Sequence, residues 1–400
     1  MSLKILQLSK KPPFPLKDGE SIAISYLSKA LAELGCEMTL LTMATSKHPV
    51  SKEDIVGQCT QYKEIRIVEV DTQIKIWDAI LNLFKNESYH ISRFISNRYK
   101  KELKQLLQEE EFDILQLETL YLAPYLPTIR KYSNAKICMR SHNIEHEIWE
   151  RIAQNNRNPI KKLYLKYLAR KLKKYEIKNL NKYDLLISVS ERDLKKLRAL
   201  GYKKEGFTSP IGINLSRYDA SESKNTLCDI CFIGALDWMP NVEGLMWFFE
   251  KVWPTLSLRN PGLKFHIAGR NIGSNIKAFA SDNVIIHGEV NNAINFINTY
   301  EVMIVPLFSG SGTRVKILEG MSLGKTIVTT SIGKEGIEVQ HGKHLLVADT
   351  PIDFISHIET LLGDDNFRNN LSRNAKIFVQ EHYDHLDNAQ SLLENYQLLV

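Results

Sequence analysis

This 400-residue chain has little cysteine, no long apolar run and no complete phosphate-binding glycine loop, and each absence removes a class of protein. Five cysteines, an odd and scattered set, cannot build a disulfide framework. Cys228 and Cys231 share the CxxC spacing of metal and redox sites, but Asp229–Ile233 reads as a strand, which turns positions i and i+3 to opposite faces. Both are expected as core thiols. No uninterrupted apolar stretch reaches membrane-spanning length, and the N-terminal MSLKILQL reads as a short strand, not a signal peptide, so a cytoplasmic protein is expected. Neither an internal repeat nor a low-complexity tract is found. Gly324-Lys325-Thr326 looks like the tail of a P-loop, but the glycine required five positions before the Gly-Lys is replaced by Glu319.

What the chain does contain is a regular alternation. With 44% hydrophobic and 24% charged residues it has the balance of a soluble globular protein, and its length suggests two domains. Strand-like runs near Lys4–Leu8, Met38–Thr42, Ile65–Val70, Ile114–Leu117, Lys136–Met139 and Leu185–Val189 are separated by helical patterns, which predicts a parallel sheet with crossover helices. The pattern restarts at Asp229–Ile233 and continues through Lys264–Ala268, Val284–His287, Val302–Val305, Thr326–Thr330 and Leu345–Val347. Between the series lie the Pro- and Gly-bearing Ser209–Asn214 and a polar stretch, Ser221–Asn225, with the composition of a hinge. The expected class is α/β, two doubly wound Rossmann-like domains facing across a cleft. The expected divisions are 1–208, 209–382, and a C-terminal helix over 383–400 that packs back on the first domain. In such sheets ligands bind beyond the carboxyl ends of the strands.

The segment GSGTRVKILEGMSLGKTIVTT, Gly310–Thr330, then acquires a different reading. Val315 to Leu323 has the apolar spacing of an amphipathic helix, with Gly324 as its C-cap, so the Gly-Lys-Thr lies where a helix becomes a strand. The strand-to-helix turn is the other end, Gly310-Ser311-Gly312-Thr313. Helix amides and the positive dipole end there suit a phosphate. Arg314 and Lys316 stand in the first turn, where cations are unfavourable unless an anion offsets them.

Two domains with a GSGTRxKxLEGMxxGK segment resemble glycosyltransferase family 4 and its GT-B fold relatives, over essentially the whole chain. By that resemblance Pro12–Gly19 is the glycine loop of the first domain, with Gly19 near the donor, and Ser141-His142-Asn143-Ile144-Glu145 is the histidine site, His142 bonding the donor sugar. Phe232–Asp237 opens the nucleotide domain, and His287-Gly288-Glu289-Val290 resembles the segment whose backbone reads the base, which assigns Gly288 and Val290 to the donor. Glu319 matches the second glutamate of the family's EX7E motif and is expected to hold the ribose hydroxyls. Three departures stand out. The motif's first glutamate is Ser311; the usual diphosphate cations are replaced by Ala235 and, near the second, Asn241; and Asp18 stands where a second glycine often lies. Arg314 and Lys316 can replace the missing cations. The resemblance implies a metal-independent, retaining hexosyltransferase, with no cofactor and no bound metal, acting in bacterial surface polysaccharide synthesis. Its donor is a nucleotide-diphosphate sugar, its acceptor a glycan or lipid-linked glycan, and Gly310, Ser311, Gly312 and Thr313 bind the donor.

Residues 151–200 hold 15 Lys/Arg against 4 Asp/Glu, and 158–182 within them form a basic helix with Leu and Tyr at helical spacing. Water, an anionic membrane surface at the inner face of the plasma membrane, and nucleic acid are the candidate partners, with nucleic acid set last and not expected. His142-Asn143-Ile144-Glu145-His146 also spells HxxEH, an inverted zinc-peptidase signature, but His142 is expected to precede the helix, which separates the pair. Asp364-Asp365 reads as a turn between helices. The alternatives are a catalytically silent relative that binds nucleotide sugar or a partner, motivated by Ser311 and Ala235, and a nucleotide-sugar epimerase on the same fold.

Overall fold

The computed structural model describes residues 2–16, 18–51, 54–55, 57–73, 88–156, 158–218 and 227–400. The polar stretch 221–225, read above as a hinge, lies outside them, as does Lys17 of the glycine loop. Two compact units emerge: Met1–Gly212 with His385–Val400, and Ile213–Asp384. No helix among the described residues is long and apolar enough to cross a membrane.

The first unit is built on a seven-stranded sheet of order β3-β2-β1-β4-β5-β6-β7. Its strands are β1 (Lys4–Ser9), β2 (Glu37–Ala44), β3 (Tyr62–Glu69), β4 (Ile114–Leu117), β5 (Lys136–Ser141), β6 (Leu185–Ser188) and β7 (Gly206–Thr208). Every pair is parallel, with Leu6 of β1 opposite Thr39 of β2 and Leu115 of β4. The period-2 alternation of a strand sends neighbours to opposite faces. Ile5, Met38 and Leu40 therefore feed one core, while Leu6, Leu41 and Met43 feed the other. A sheet apolar on both faces needs helices on both, which is why these strands read as continuous hydrophobic runs. Helix α1 (Gly19–Glu33) covers one face through Leu27, Ala30 and Leu31. The C-terminal helix His385–Leu399 lies on the same face with Ala389, Leu392, Leu393 and Tyr396, and the Tyr396 hydroxyl donates to Gln116 Oε1 at 2.6 Å. Helices α2 (Glu145–Asn155) and α3 (Pro159–Asn179) follow β5. β7 escaped the sequence reading because its three half-buried residues carry no apolar run.

The second unit has a six-stranded parallel sheet of order β10-β9-β8-β11-β12-β13. The strands are β8 (Leu227–Ile233), β9 (Phe265–Ala268), β10 (Val284–Gly288), β11 (Tyr300–Val305), β12 (Thr326–Thr329) and β13 (Leu346–Val347). Phe248, from α4 (Met239–Lys251), packs with Phe265 and Phe354 in the core against Ile230 and Phe232. Helix α5 (Val315–Ser322) leads from β11 to β12. It ends as the sequence implies. Gly324 has φ 69 and donates to the Met321 carbonyl at 3.0 Å, Lys325 N–H reaches the Gly320 carbonyl at 2.8 Å, and β12 begins at Thr326. The Gly-Lys-Thr is a helix-to-strand turn, and the Lys325 ammonium is buried against the Asn298 carbonyl at 2.9 Å. One expectation fails. Cys231 is buried but Cys228, near the start of β8, is exposed, so only the first is a core thiol.

Candidate active site

In each sheet the chain first builds outward in one direction and then reverses, and the loops after the two strands at that reversal are where ligands of such sheets bind. In the second unit the reversal falls between β8 and β11. The loop after β11 turns sharply. Gly310 has φ 112 and Gly312 φ 75, conformations that a side chain would strain, and a Cβ at Gly310 would also come within 3.1 Å of the Arg314 guanidinium. Gly310, Ser311 and Gly312 are buried, Ser309 donates to Glu243 at 2.8 Å, and the Thr313 hydroxyl donates to the Gly336 carbonyl at 3.3 Å. Arg314 is the N-cap of α5, and its Nη1 folds back onto the carbonyls of Ser311 and Gly312. The guanidinium braces the turn from which the helix starts.

Lys316 points elsewhere. Its ammonium donates to the Ile233 carbonyl at 3.2 Å and to Asn241 Oδ1 at 2.9 Å, and lies 4.5 Å from the centre of the Phe232 ring. Asn241 in turn donates to the Ala235 carbonyl at 2.8 Å. Gly234 makes the approach possible, since a Cβ there would stand 2.9 Å from Asn241 Nδ2 and 3.0 Å from the Lys316 nitrogen. A lysine from α5 therefore occupies the end of β8, beside Ala235 and Asn241. Burial of the ammonium, and then the positive Arg314, bring the Lys316 pKa down to about 7 against the pull of Glu319. Glu319, one turn on, accepts from the Tyr218 hydroxyl at 2.8 Å; burial raises its pKa.

On the other side of β8, Gly269, directly after β9, lies against the Gly234 carbonyl, where a Cβ would be only 2.0 Å away, and its N–H donates to the Gly288 carbonyl at 2.8 Å. This close backbone stacking ties the ends of β8, β9 and β10 together. Beyond them opens a cavity of about 520 Å³ lined by Gly269, Asn271, Ile272, Lys277, Ala280, Ile286, His287, Gly288 and Glu289. Asn271 and Gly288, with φ 55 and 77, turn the chain at its rim, and Val290 follows directly. The His287 ring accepts or donates to His266 at 3.0 Å, and His266 stacks on Tyr300.

The first unit reverses between β1 and β4. Beyond β4 stands Glu118, fully buried, and beyond β5 stands His142, whose Nε2 lies 2.8 Å from Glu118 Oε2. Gln7, Gln116 and Arg140 also donate to Glu118. Although burial pushes the Glu118 carboxyl up, Arg140 and these hydrogen bonds prevail and bring it to about 2. Burial, and Arg140 beside it, lower the His142 pKa in spite of Glu118, which favours the neutral ring. A neutral ring that donates from Nε2 to a carboxylate presents Nδ1 as an acceptor. Glu145, the first residue of α2, accepts from the Tyr121 hydroxyl at 3.0 Å; burial lifts it to about 7 although Lys10 opposes the rise. Gly19 opens α1, but the N-cap Asp18 already accepts from Ser21 N–H at 3.0 Å and pairs with Lys11. Burial pushes Asp18 up, yet Lys11 holds its carboxyl well below the usual range.

Of the residues singled out in the sequence, Gly310, Ser311, Gly312, Thr313, Arg314 and Lys316 form one neighbourhood, Glu319 follows on α5, and Gly288, at the end of β10, and Val290 beyond it belong to a strand three positions from β11 in the sheet. His142 and Gly19 belong to the first unit. His142 precedes α2 and serves Glu118, whereas His146 Nδ1 bonds Glu176, so the HxxEH residues face different carboxylates. Asp364 is the N-cap of the following helix, bonded to Phe367 N–H at 2.9 Å. Glu118, Tyr218 and Asn271 were missed. An acid directly after a fully apolar-flanked strand, as in ILQLE, was the available signal for Glu118; the other two carry none.

The Glycosyltransferase Family 4 model matches residues 18–217, and the model of Glycosyl transferases group 1 matches residues 228–364. An uncharacterized 44.6 kDa protein in the cps region of Klebsiella pneumoniae is 26% identical over 398 residues, which cover 95% of this chain and 96% of that protein. Among solved structures, sucrose-phosphate synthase of Thermosynechococcus elongatus superposes with a TM-score of 0.74 at 14% identity, covering 99% of each chain. TarM gives 0.72 at 13% identity over 100% of this chain and 99% of its own. HepE of Anabaena, in complex with UDP and glucose, gives 0.71 at 12% identity over 99% of both. These likenesses establish the GT-B type of fold.

Proposed function

This chain belongs to glycosyltransferase family 4, and from that premise we propose that it moves a sugar from a nucleoside-diphosphate donor to a glycan or lipid-linked glycan. The proposal extends to retention of anomeric configuration without a bound metal, in the cytoplasm at the inner face of the membrane. The cps-region relative favours polysaccharide synthesis as the setting. One observation carries the reading: the Lys316 ammonium is held at the reversal of the second sheet by a strand-end carbonyl and Asn241, next to the turn that opens α5.

A leaving diphosphate gains negative charge as its bond to the sugar breaks, so preorganised donors aimed at it lower the barrier. Lys316 and the amides at the start of α5 are assigned to that oxygen, with Arg314 bracing the turn. The anomeric carbon loses its phosphate oxygen and gains the acceptor oxygen on the same face. The acceptor proton passes to the departing phosphate, and no separate base is consumed. The cavity at His287–Glu289 is assigned to the nucleobase, with the Gly288 and Val290 backbone, and Glu319, steadied by Tyr218, to the ribose hydroxyls. HepE, whose structures hold UDP and UDP-glucose, supports a uridine donor as the first to test. His142, oriented by Glu118, is assigned a hydrogen bond to the transferred sugar.

The test is calorimetric titration of UDP, GDP and ADP in the presence of EDTA into the wild type and Lys316→Ala, followed by a transfer assay with the sugar form of the nucleotide that binds. Binding of one diphosphate that the variant loses supports the reading. Equal binding by both proteins overturns the Lys316 assignment, and binding without turnover favours the silent relative that Ser311 suggests.

A further inference from the structure

Helix α3 carries eight Lys/Arg and a single acid, Glu176, which is buried and bonded to His146. At 100° per residue, Leu165, Leu168, Ala169, Leu172, Glu176 and Asn179 form the inward stripe and all are buried. The opposite stripe is not the polar face expected of such a helix. Its first two turns are Ile160, Leu163, Tyr164 and Tyr167, exposed by 81%, 69%, 36% and 36%, and its last three carry Arg170, Lys171, Lys174 and Lys178. The two cations engaged with α2 point sideways: Lys162 donates to the Gln154 carbonyl at 2.7 Å and Lys173 meets Glu150 at 3.6 Å. The Lys171 ammonium lies 4.8 Å from the centre of the Tyr167 ring, joining the apolar and cationic halves.

We infer that the outward stripe of α3 is a docking face for a bilayer containing anionic phospholipid. Ile160 and Leu163 enter the acyl boundary, Tyr164 and Tyr167 sit at headgroup depth, and the cationic half lies along the phosphates. The cations select an anionic partner, because no exposed carboxylate on the helix competes with them. The exposed Ile160 and Leu163 select a lipid among anionic partners. A nucleic acid backbone gains nothing from an exposed isoleucine and leucine, whereas an acyl boundary gains from the apolar surface it covers. Aromatic residues between the apolar and charged parts match the membrane–water interface. This deepens the membrane location in the proposed function by naming the face and the lipid, and it does not rest on the transfer chemistry, since docking requires neither donor nor acceptor.

The experiment is co-sedimentation of the full chain with sucrose-loaded vesicles of phosphatidylcholine alone, and of phosphatidylcholine mixed in equal parts with phosphatidylglycerol, at low and high salt. Wild type is expected to pellet with the mixed vesicles and to stay in solution with the neutral ones. The double variant Ile160→Glu/Leu163→Glu is expected to lose at least about tenfold in partitioning, and Arg170→Glu/Lys174→Glu a similar factor. Both pairs lie on the exposed face, and circular dichroism with nucleotide binding checks that the variants remain folded. Wild type that ignores anionic vesicles overturns the inference. So does an apolar variant that binds as well as wild type, or tighter binding to a single- or double-stranded oligonucleotide than to vesicles. A dimer in light scattering that Ile160→Glu/Leu163→Glu dissociates reassigns the face to a second copy of the chain and also overturns it. Loss of UDP binding with vesicle binding intact strikes the transferase reading alone.

Discussion

Lys10 and Lys316 are buried ammonium groups at the reversal points of two sheets of the same kind, and their acidities move in opposite directions. Burial lowers both, but Glu20 and Glu145 more than restore Lys10, whose pKa ends above its ordinary value, while Lys316 has Arg314 beside it and falls to about 7. The surroundings differ accordingly. In the first unit Lys10 pairs with Glu20 at 3.3 Å, Lys11 with Asp18 and Glu20, and Arg140 with Glu118 at 3.4 Å, so the charges are balanced within the protein. In the second unit Lys316 meets a carbonyl, an amide oxygen and an aromatic ring. One scaffold thus holds a site complete in its own charge and a site whose cation forms no ion pair with a carboxylate among the described residues. The second is the one to which the proposed function assigns the diphosphate.

The sharpest way to break this contrast is to remove the unbalanced cation. Lys316→Ala is expected to lower turnover by about 100-fold, the usual cost of deleting one donor aimed at developing charge. A kcat within threefold of wild type in the transfer assay would remove Lys316 from the chemistry. The contrast also has a pH signature. Lys316 binds an anion best when protonated, and with its pKa near 7 the protonated fraction falls about tenfold between pH 6 and pH 8. Affinity for an intact sugar nucleotide, whose diphosphate has no ionisation in that range, should weaken by that factor as pH rises. Lys316→Arg should flatten the profile, and a flat wild-type profile would mean that the lysine stays charged without ligand.

Smaller effects probe the balanced site. Glu118→Gln removes the carboxylate that accepts from His142 and is expected to reduce turnover about fivefold, roughly 1 kcal/mol for one hydrogen bond, with donor affinity little changed. A drop in binding alone would relocate His142 from the transferred sugar to another part of the ligand. The smallest effect is in stability. Glu145 has its pKa raised to about 7, so its contribution is fully present below about pH 4.5 and is lost as pH rises through 7. Glu145→Gln should therefore raise the melting temperature at pH 8 and leave it unchanged at pH 4.5. A loss at pH 8 would show that the charged carboxylate is needed to hold Lys10.

Much of this was legible in the chain. The alternation of apolar runs and amphipathic segments predicted both parallel sheets, because a strand buried on both faces cannot hide its composition. Ile114–Leu117 was placed to the residue, and β3 began three residues before the expected Ile65 because Tyr62 and Lys63 interrupt the apolar pattern. The helix at Val315 and its Gly324 cap followed from spacing and from the glycine conformation such a turn requires. Cys228 was misplaced because spacing gives the relative face of two side chains but not whether that face is covered.

The sequence by itself determined the two-sheet α/β architecture, the strand-to-helix turn at Gly310–Thr313 and the family, since these rest on local periodicity and on short motifs. Tertiary structure decided what those motifs face. That Lys316 leaves Arg314 and reaches Gly234 and Asn241, about 75 residues earlier in the chain, depends on β8 and β11 lying side by side at the reversal of the sheet. That His142 is oriented by Glu118, and not paired with His146, depends on β4 and β5 being neighbours. Charge, too, is written in the sequence only as a count. Whether a lysine has its pKa raised, as Lys10 does, or brought down, as Lys316 does, follows from burial and from which charged groups the fold brings near it.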